Sequence, residues 1–170
     1  MAVRVDQVER EDGHATTREI VEHPGAVGIL AWDGARLAVV RQWRHAAGRT
    51  LLEIPAGTLE PDEPPDATAR RELAEEVGLA AETWEAGPSF FTAPGFCTER
   101  MHLYLAAGLT PAPDGAAADT DEALEPDWIS LPDALRAVDD GRIEDAKSIA
   151  GIGWLARRLR RDATDDTGAR

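Results

Sequence analysis

Cysteine is almost absent from this chain: Cys97 stands alone among 170 residues. An internal disulfide is therefore excluded, and a reducing compartment fits. No apolar run reaches the roughly 18 residues that a membrane-spanning helix needs. The opening stretch MAVRVDQVEREDG has no apolar signal core and is too acidic for a transit peptide, so a soluble, cytoplasmic protein is expected. Basic residues are outnumbered, and the formal net charge is −14. A balance of that sign argues against nonspecific nucleic-acid binding, which needs a basic footprint. It leaves anionic small molecules open, because a divalent cation held by carboxylates reverses the local sign. Lysine is nearly missing too; Lys147 is the single one, read here as compositional bias. His14, His23, His45 and His102 show no metal-ligand spacing, and no histidine lies beside Cys97 in the sequence to activate it.

What is present suits one folded domain. The hydrophobic fraction is 43 %, ordinary for a globular chain of this length. Strand-like segments come first: Val3–Arg10 and Thr16–Val21 around Asp12-Gly13, then Val27–Trp32 and Leu37–Gln42 around Asp33-Gly34, both with hairpin turn chemistry. Thr50–Ile54, Phe90–Phe91, His102–Ala107 and Leu124–Ser130 read as further strands. Leu131–Val138 and Ala146–Leu159 read as helices. Residues 1–24 are expected to form a small β region, residues 25–160 the main domain, and 161–170 a disordered tail. Strands mixed with a few helices give an α/β (α+β) class.

The segment Gly57–Leu79, GTLEPDEPPDATARRELAEEVGL, carries the chemistry. Its second half is expected to be a helix, with Asp66 as N-cap and Gly78 as the C-terminal stop. At about 100° per residue, Glu72 and Glu76 stand about 40° apart, with Glu75 about 60° to the other side of Glu72. Ala69, Leu73, Ala74 and Val77 make the adjoining apolar arc. Carboxylates one turn apart repel, and Arg71 is spaced to pair with Glu75. A solvated acidic face would look like this. So would a set of oxygen ligands for magnesium, held beside the buried arc. Gly57 at a strand end allows close approach of backbone and ligand, and Glu63 has no evident structural task.

Gly57, five residues, Glu63, seven residues and then RELAEEVGL resembles the signature of the Nudix hydrolases throughout. The resemblance implies an α/β/α sandwich around a mixed sheet. It also implies magnesium- or manganese-dependent hydrolysis of a nucleoside diphosphate linked to another moiety. Three more segments are similar to the ADP-ribose pyrophosphatase subfamily: VRQWRHAAGRTLLEIPAGTLE before the signature, Pro94 sixteen residues beyond Gly78, and DTDEALEPDWISL. The likeness runs from about Val3 to Leu131.

On that resemblance, the Ala56 carbonyl, Glu72 and Glu76 bind metal, with Glu75 as an added ligand or a partner of metal-bound water. Glu122 matches a loop glutamate that binds metal or positions the attacking water, and Glu122 with Glu76 forms the catalytic pair. Arg44, Glu53, Thr58 and Glu99 match substrate-contacting positions. Arg44 suits the diphosphate or adenine, and Glu99 a ribose hydroxyl. Taken alone, Arg44 could be a surface arginine, Glu99 could pair with Arg100, and Asp119 or Asp121 could stand in for Glu122. The five tryptophans read as core or interface residues. The chain departs from the subfamily at Thr120, where another acid is common. The expected reaction splits ADP-ribose into AMP and ribose 5-phosphate. Alternatives are another nucleotide sugar or dinucleotide (GDP-mannose, NADH, FAD) or a catalytically silent nucleotide sensor. In the same subfamily the N-terminal strands cross to a second subunit, so a homodimer is expected; a lone two-stranded hairpin is marginal in water.

Overall fold

The computed structural model describes residues 1–113 and 125–167. Strands β1 (Ala2–Glu9) and β2 (Ala15–Glu22) pair antiparallel as a separate two-stranded sheet. Gly13 takes φ +78° at its turn, as the Asp12-Gly13 pair anticipates. The hairpin is fastened to the rest of the chain where Val21 donates to Phe96 O (2.7 Å) and Thr98 N donates back to Val21 O (3.0 Å).

β3 (Ala26–Ala31) lies at the centre and is buried along its whole length. Its alternate side chains face opposite ways, as a strand's pleat demands. Ala26 and Leu30 join a core cluster with residues of α2 (Leu131–Asp139) and α3 (Ala146–Thr167). Val27, Ile29 and Ala31 join a second cluster with Ala69 and Leu73 of α1 (Pro65–Val77). Helices therefore cover both faces, which gives the expected α/β/α sandwich. The central sheet has the order β6-β3-β8-β7, with β6 at Ala56–Thr58, β7 at Leu79–Phe91 and β8 at Arg100–Pro111. β3 and β8 run parallel while the other neighbours are antiparallel, so the sheet is mixed. A three-stranded sheet, β5-β4-β9, adjoins it, with β4 at Arg36–Arg44, β5 at Arg49–Glu53 and β9 at Glu125–Ser130. The turn from β3 into β4 is set locally: Asp33 Oδ1 accepts from Ala35 N (2.8 Å) and Arg36 N (2.6 Å). Among the described residues, no helix is long and apolar enough to cross a membrane.

Three expectations need correction. The residue before α1 is Pro64, not Asp66. Pro65 occupies the first helical position, where a missing N–H costs nothing, and Asp66 lies in the first turn, favourably placed for the helix dipole. Strand β7 begins straight after α1 and runs 13 residues, where only Phe90–Phe91 was read as strand. The tail expected to be disordered from residue 161 continues α3 to Thr167. Arg158 pairs with Asp162 one turn on, and Thr164 Oγ1 bonds Arg161 O at 2.7 Å, so local contacts carry the helix past its apolar face.

Candidate active site

Gly78 ends α1 at φ +70°, its N–H returning to Ala74 O and Leu73 O, and the helix packs against β6. In that packing two glutamates reach the three-residue strand. Glu76 Oε2 accepts the Ala56 N–H at 2.9 Å. Glu72 passes directly over Gly57, and a Cβ there would lie 1.9 Å from Glu72 Cδ. Glycine is therefore required by close approach, not by a turn. Gly57→Ala is expected to lower the unfolding free energy by about 1–3 kcal/mol and to weaken magnesium binding by displacing Glu72. Thermal denaturation and a magnesium titration of the variant check both effects, and an unchanged metal dependence would refute the second.

Arg71 joins the other carboxylates. Its guanidinium contacts Glu63 (3.1 Å), Glu72 (2.8 Å) and Glu75 (2.9 Å). The hydrogen bond to Glu63 is foremost in holding Arg71 protonated, and the same bond holds the Glu63 carboxyl below its ordinary range. Thr68 Oγ1 also donates to Glu63 (2.8 Å). Glu63, which had no evident task, thus ties the loop to the helix and keeps Arg71 among the like-charged glutamates. Among the described residues, no three acidic, histidine or cysteine side chains stand as a ready metal cluster. Glu72 and Glu76, with the adjoining main chain of Ala56, form an oxygen-only set at one seam, and the fitted cradle at Gly57 holds Glu72 there. Hard oxygen donors of this kind suit magnesium.

A cavity of about 490 Å³ opens beside this seam. Arg44, Glu53, Ala56, Thr58 and Glu99 all line it, so residues from β4, β5, β6 and the loop just before β8 meet in one place. Arg44 grips Glu53 in a bidentate pair, Nε at 2.9 Å and Nη2 at 2.6 Å. Lys147 Nζ also binds Glu53 and reaches Asp145 at 2.9 Å. Glu53 is 1 % exposed. Burial pushes its carboxyl up, but the Arg44 hydrogen bonds and the Lys147 charge outweigh that and hold it below the ordinary carboxylate range. Glu99 accepts from Thr92 Oγ1 (2.5 Å) and faces His23 Nε2 at 3.6 Å. Gly25 N–H donates to His23 Nδ1 (3.1 Å), so a neutral His23 carries its ring proton on Nε2, towards Glu99. Arg100 lies over the Phe91 ring, 5.6 Å from its centre, and forms no ion pair with Glu99.

Glu75 pairs with Arg71 at 2.9 Å. Glu122, with Asp119, Thr120 and Asp121, lies outside the described residues. No tryptophan lines the cavity among the described residues. Trp84 meets Tyr104 edge-on, Trp128 lies under Arg36, and Trp154 packs on Gly87. The sequence reading gives Lys147 no functional role. Its only signal was being the one lysine in a chain that otherwise uses arginine.

Residues 22–151 match the family described as NUDIX domain. The chain is 42 % identical over 152 residues to an ADP-ribose pyrophosphatase of Bacillus subtilis, covering 89 % of this chain and 82 % of that one. It is 44 % identical over 153 residues to an ADP-ribose pyrophosphatase of Mycobacterium tuberculosis, covering 89 % and 74 %. A methanol dehydrogenase activator of Bacillus methanolicus is 40 % identical over 154 residues, covering 90 % and 83 %. In overall fold the chain superposes on a crystal structure of an ADP compounds hydrolase with a TM-score of 0.80 and 20 % identity, over 95 % of each chain. Signature, sandwich and carboxylate seam converge with these likenesses: the chain belongs to the Nudix family.

Proposed function

We propose that this protein hydrolyses the diphosphate bridge of ADP-ribose, or of a closely related nucleoside diphosphate sugar, with magnesium as its metal and manganese as a substitute. One observation carries the reading. Arg44, Thr58 and Glu99 share a single cavity with Ala56, on the strand that Glu72 and Glu76 reach from α1. The names of the relatives at 42 % and 44 % identity support ADP-ribose over other substrates.

The residues divide the work. Arg44 offers a guanidinium, already oriented by Glu53, to a phosphate or to the adenine. Glu99, steadied by Thr92, offers an acceptor to a ribose hydroxyl. Glu72, Glu76 and the Ala56 carbonyl would hold magnesium, with Glu75 and Glu122 as further partners. A divalent cation there supplies charge neutralisation for the diphosphate and a lowered pKa for water. Glu122 is assigned the water's proton. The attacking oxygen forms a new P–O bond as the bridging P–O bond breaks, leaving AMP and ribose 5-phosphate. General-base help of this kind is worth about 10²–10⁴-fold.

Incubation with ADP-ribose and magnesium is expected to yield AMP and ribose 5-phosphate in equal amounts, and nothing in EDTA. Higher kcat/KM for GDP-mannose, NADH or FAD would move the substrate within the class. Tight ADP-ribose binding without turnover would replace the enzyme by a sensor. A cytoplasmic setting and a homodimer belong to the same proposal. Val3 and Val5 of the hairpin are 72 % and 61 % exposed, and Trp43 is 60 % exposed, apolar side chains of the kind a second copy would cover. Sedimentation equilibrium at roughly micromolar concentration is expected to give twice the chain mass, and a monomer would contradict it.

A further inference from the structure

Lys147 stands in the wall of the substrate cavity, and the reaction as proposed gives it no part. It is 9 % exposed, so its ammonium has left bulk water, a change that costs several kcal/mol unless counter-charges meet it. Two do. Glu53, 94 positions away on β5, binds its Nζ, and Asp145 accepts from it at 2.9 Å. Glu53 already holds Arg44 through both oxygens, at 2.9 and 2.6 Å. Asp145 spends its Oδ2 on Lys147 and on the Ser148 N–H (3.0 Å), while its Oδ1 is buried with no hydrogen-bond partner among the described residues.

All four groups line the one cavity. Their formal charges are two positive, on Arg44 and Lys147, and two negative, on Glu53 and Asp145, so the cluster is neutral. Without Lys147 it would carry a net negative charge facing a dianionic diphosphate. Arg44 alone would then have to answer Glu53, Asp145 and the substrate together.

We infer that Lys147 is a positioning and charge-balancing residue of the substrate cavity: by neutralising Glu53 and Asp145 it leaves the Arg44 guanidinium able to attract the anionic diphosphate of the substrate. This rests on the proposed nucleoside diphosphate reading. It differs from a purely structural role in one respect, because the affinity must follow the net charge of the cluster and not merely the integrity of the fold. A unit charge about 8 Å from a phosphate, at an effective dielectric near 20, changes affinity by more than tenfold.

Steady-state kinetics with ADP-ribose and magnesium on three variants test it. Lys147→Met makes the cluster negative and is expected to raise KM at least about tenfold while kcat stays within about threefold. Glu53→Gln makes it positive and is expected to lower KM. Glu53→Gln with Lys147→Met restores neutrality and is expected to recover most of the affinity lost in Lys147→Met. Calorimetric titration with ADP in EDTA should reproduce that order without turnover. The order is itself the readout, and if Lys147→Met does not fold, a KM for folded Glu53→Gln at or above that of the unmodified protein overturns the inference. An unchanged KM in Lys147→Met, or a double variant that folds normally and binds no better than Lys147→Met, would overturn the inference. Absence of ADP-ribose turnover in the unmodified protein would instead sink the substrate reading.

Discussion

Glu76→Gln is expected to lower kcat/KM for ADP-ribose by about a thousandfold or more while leaving the unfolding temperature nearly unchanged. The split follows from what the carboxylate does in each setting. Structurally, Glu76 accepts a hydrogen bond from the Ala56 N–H at 2.9 Å. A glutamine oxygen can accept the same bond, so the α1–β6 seam stays closed. Chemically, the variant removes a negative charge from an oxygen-only seam whose proposed task is to hold a divalent cation. Such a cation contributes several kcal/mol of charge stabilisation in the transition state, and each 1.36 kcal/mol is about tenfold in rate. Steady-state kinetics across a magnesium series, with thermal denaturation in parallel, separate the two effects. Near-normal turnover in a folded variant would remove Glu76 from the metal set.

Glu53→Gln is expected to have the larger effect on stability. The carboxylate is 1 % exposed and is the counter-charge for Arg44 and Lys147 together. Removing one partner of a buried ion pair costs about 3–5 kcal/mol, and the low end applies here because the amide oxygen keeps one acceptor. The same carboxylate gives the difference a pH signature. Burial raises its pKa, but Arg44 and Lys147 outweigh burial, so the folded value lies below the ordinary 4.5. A depressed carboxyl contributes its stability above the unfolded value and loses it as pH falls through the folded value. The gap between the unmodified protein and Glu53→Gln should therefore be full near neutrality and shrink as acid is added below about pH 4.5. Denaturant unfolding at a series of pH values checks this, and a gap that widens in acid would contradict the assignment.

How much of this could be read from the chain depends on how local each determinant is. The turns at Asp12-Gly13 and Asp33-Gly34 were legible, because the side chain and glycine that make them are adjacent. So was the end of α1, where Gly78 alone supplies the left-handed residue. β7 was not: its opening LAAETWEA has the alanine and glutamate of a helix, and only pairing with β8 makes it a strand. Gly87-Pro88 marks the register shift between Ala86 and Ser89, a bulge that reads in sequence as a break. At the site, the spacing of Glu72, Glu75 and Glu76 and the Arg71–Glu75 pair were visible, but not that Arg71 would also hold Glu72 and Glu63. Arg44, Thr58 and Glu99 were reachable only through family likeness, since they come from β4, β6 and the loop before β8, far apart in the chain. Lys147 was out of reach, because its partner is 94 positions away and nothing near it in the chain records the pairing.

The backbone clasp between Val21 and the Phe96–Thr98 segment ties the hairpin to the loop that leads into Glu99. Thr98 Oγ1 also accepts the His23 N–H at 2.8 Å, and His23 in turn faces Glu99. Whatever grips the outer strands therefore tugs on Glu99, the acceptor proposed for the sugar. If two copies come together through those strands, dilution should be felt first as a looser hold on the nucleotide's ribose, well before either copy begins to melt.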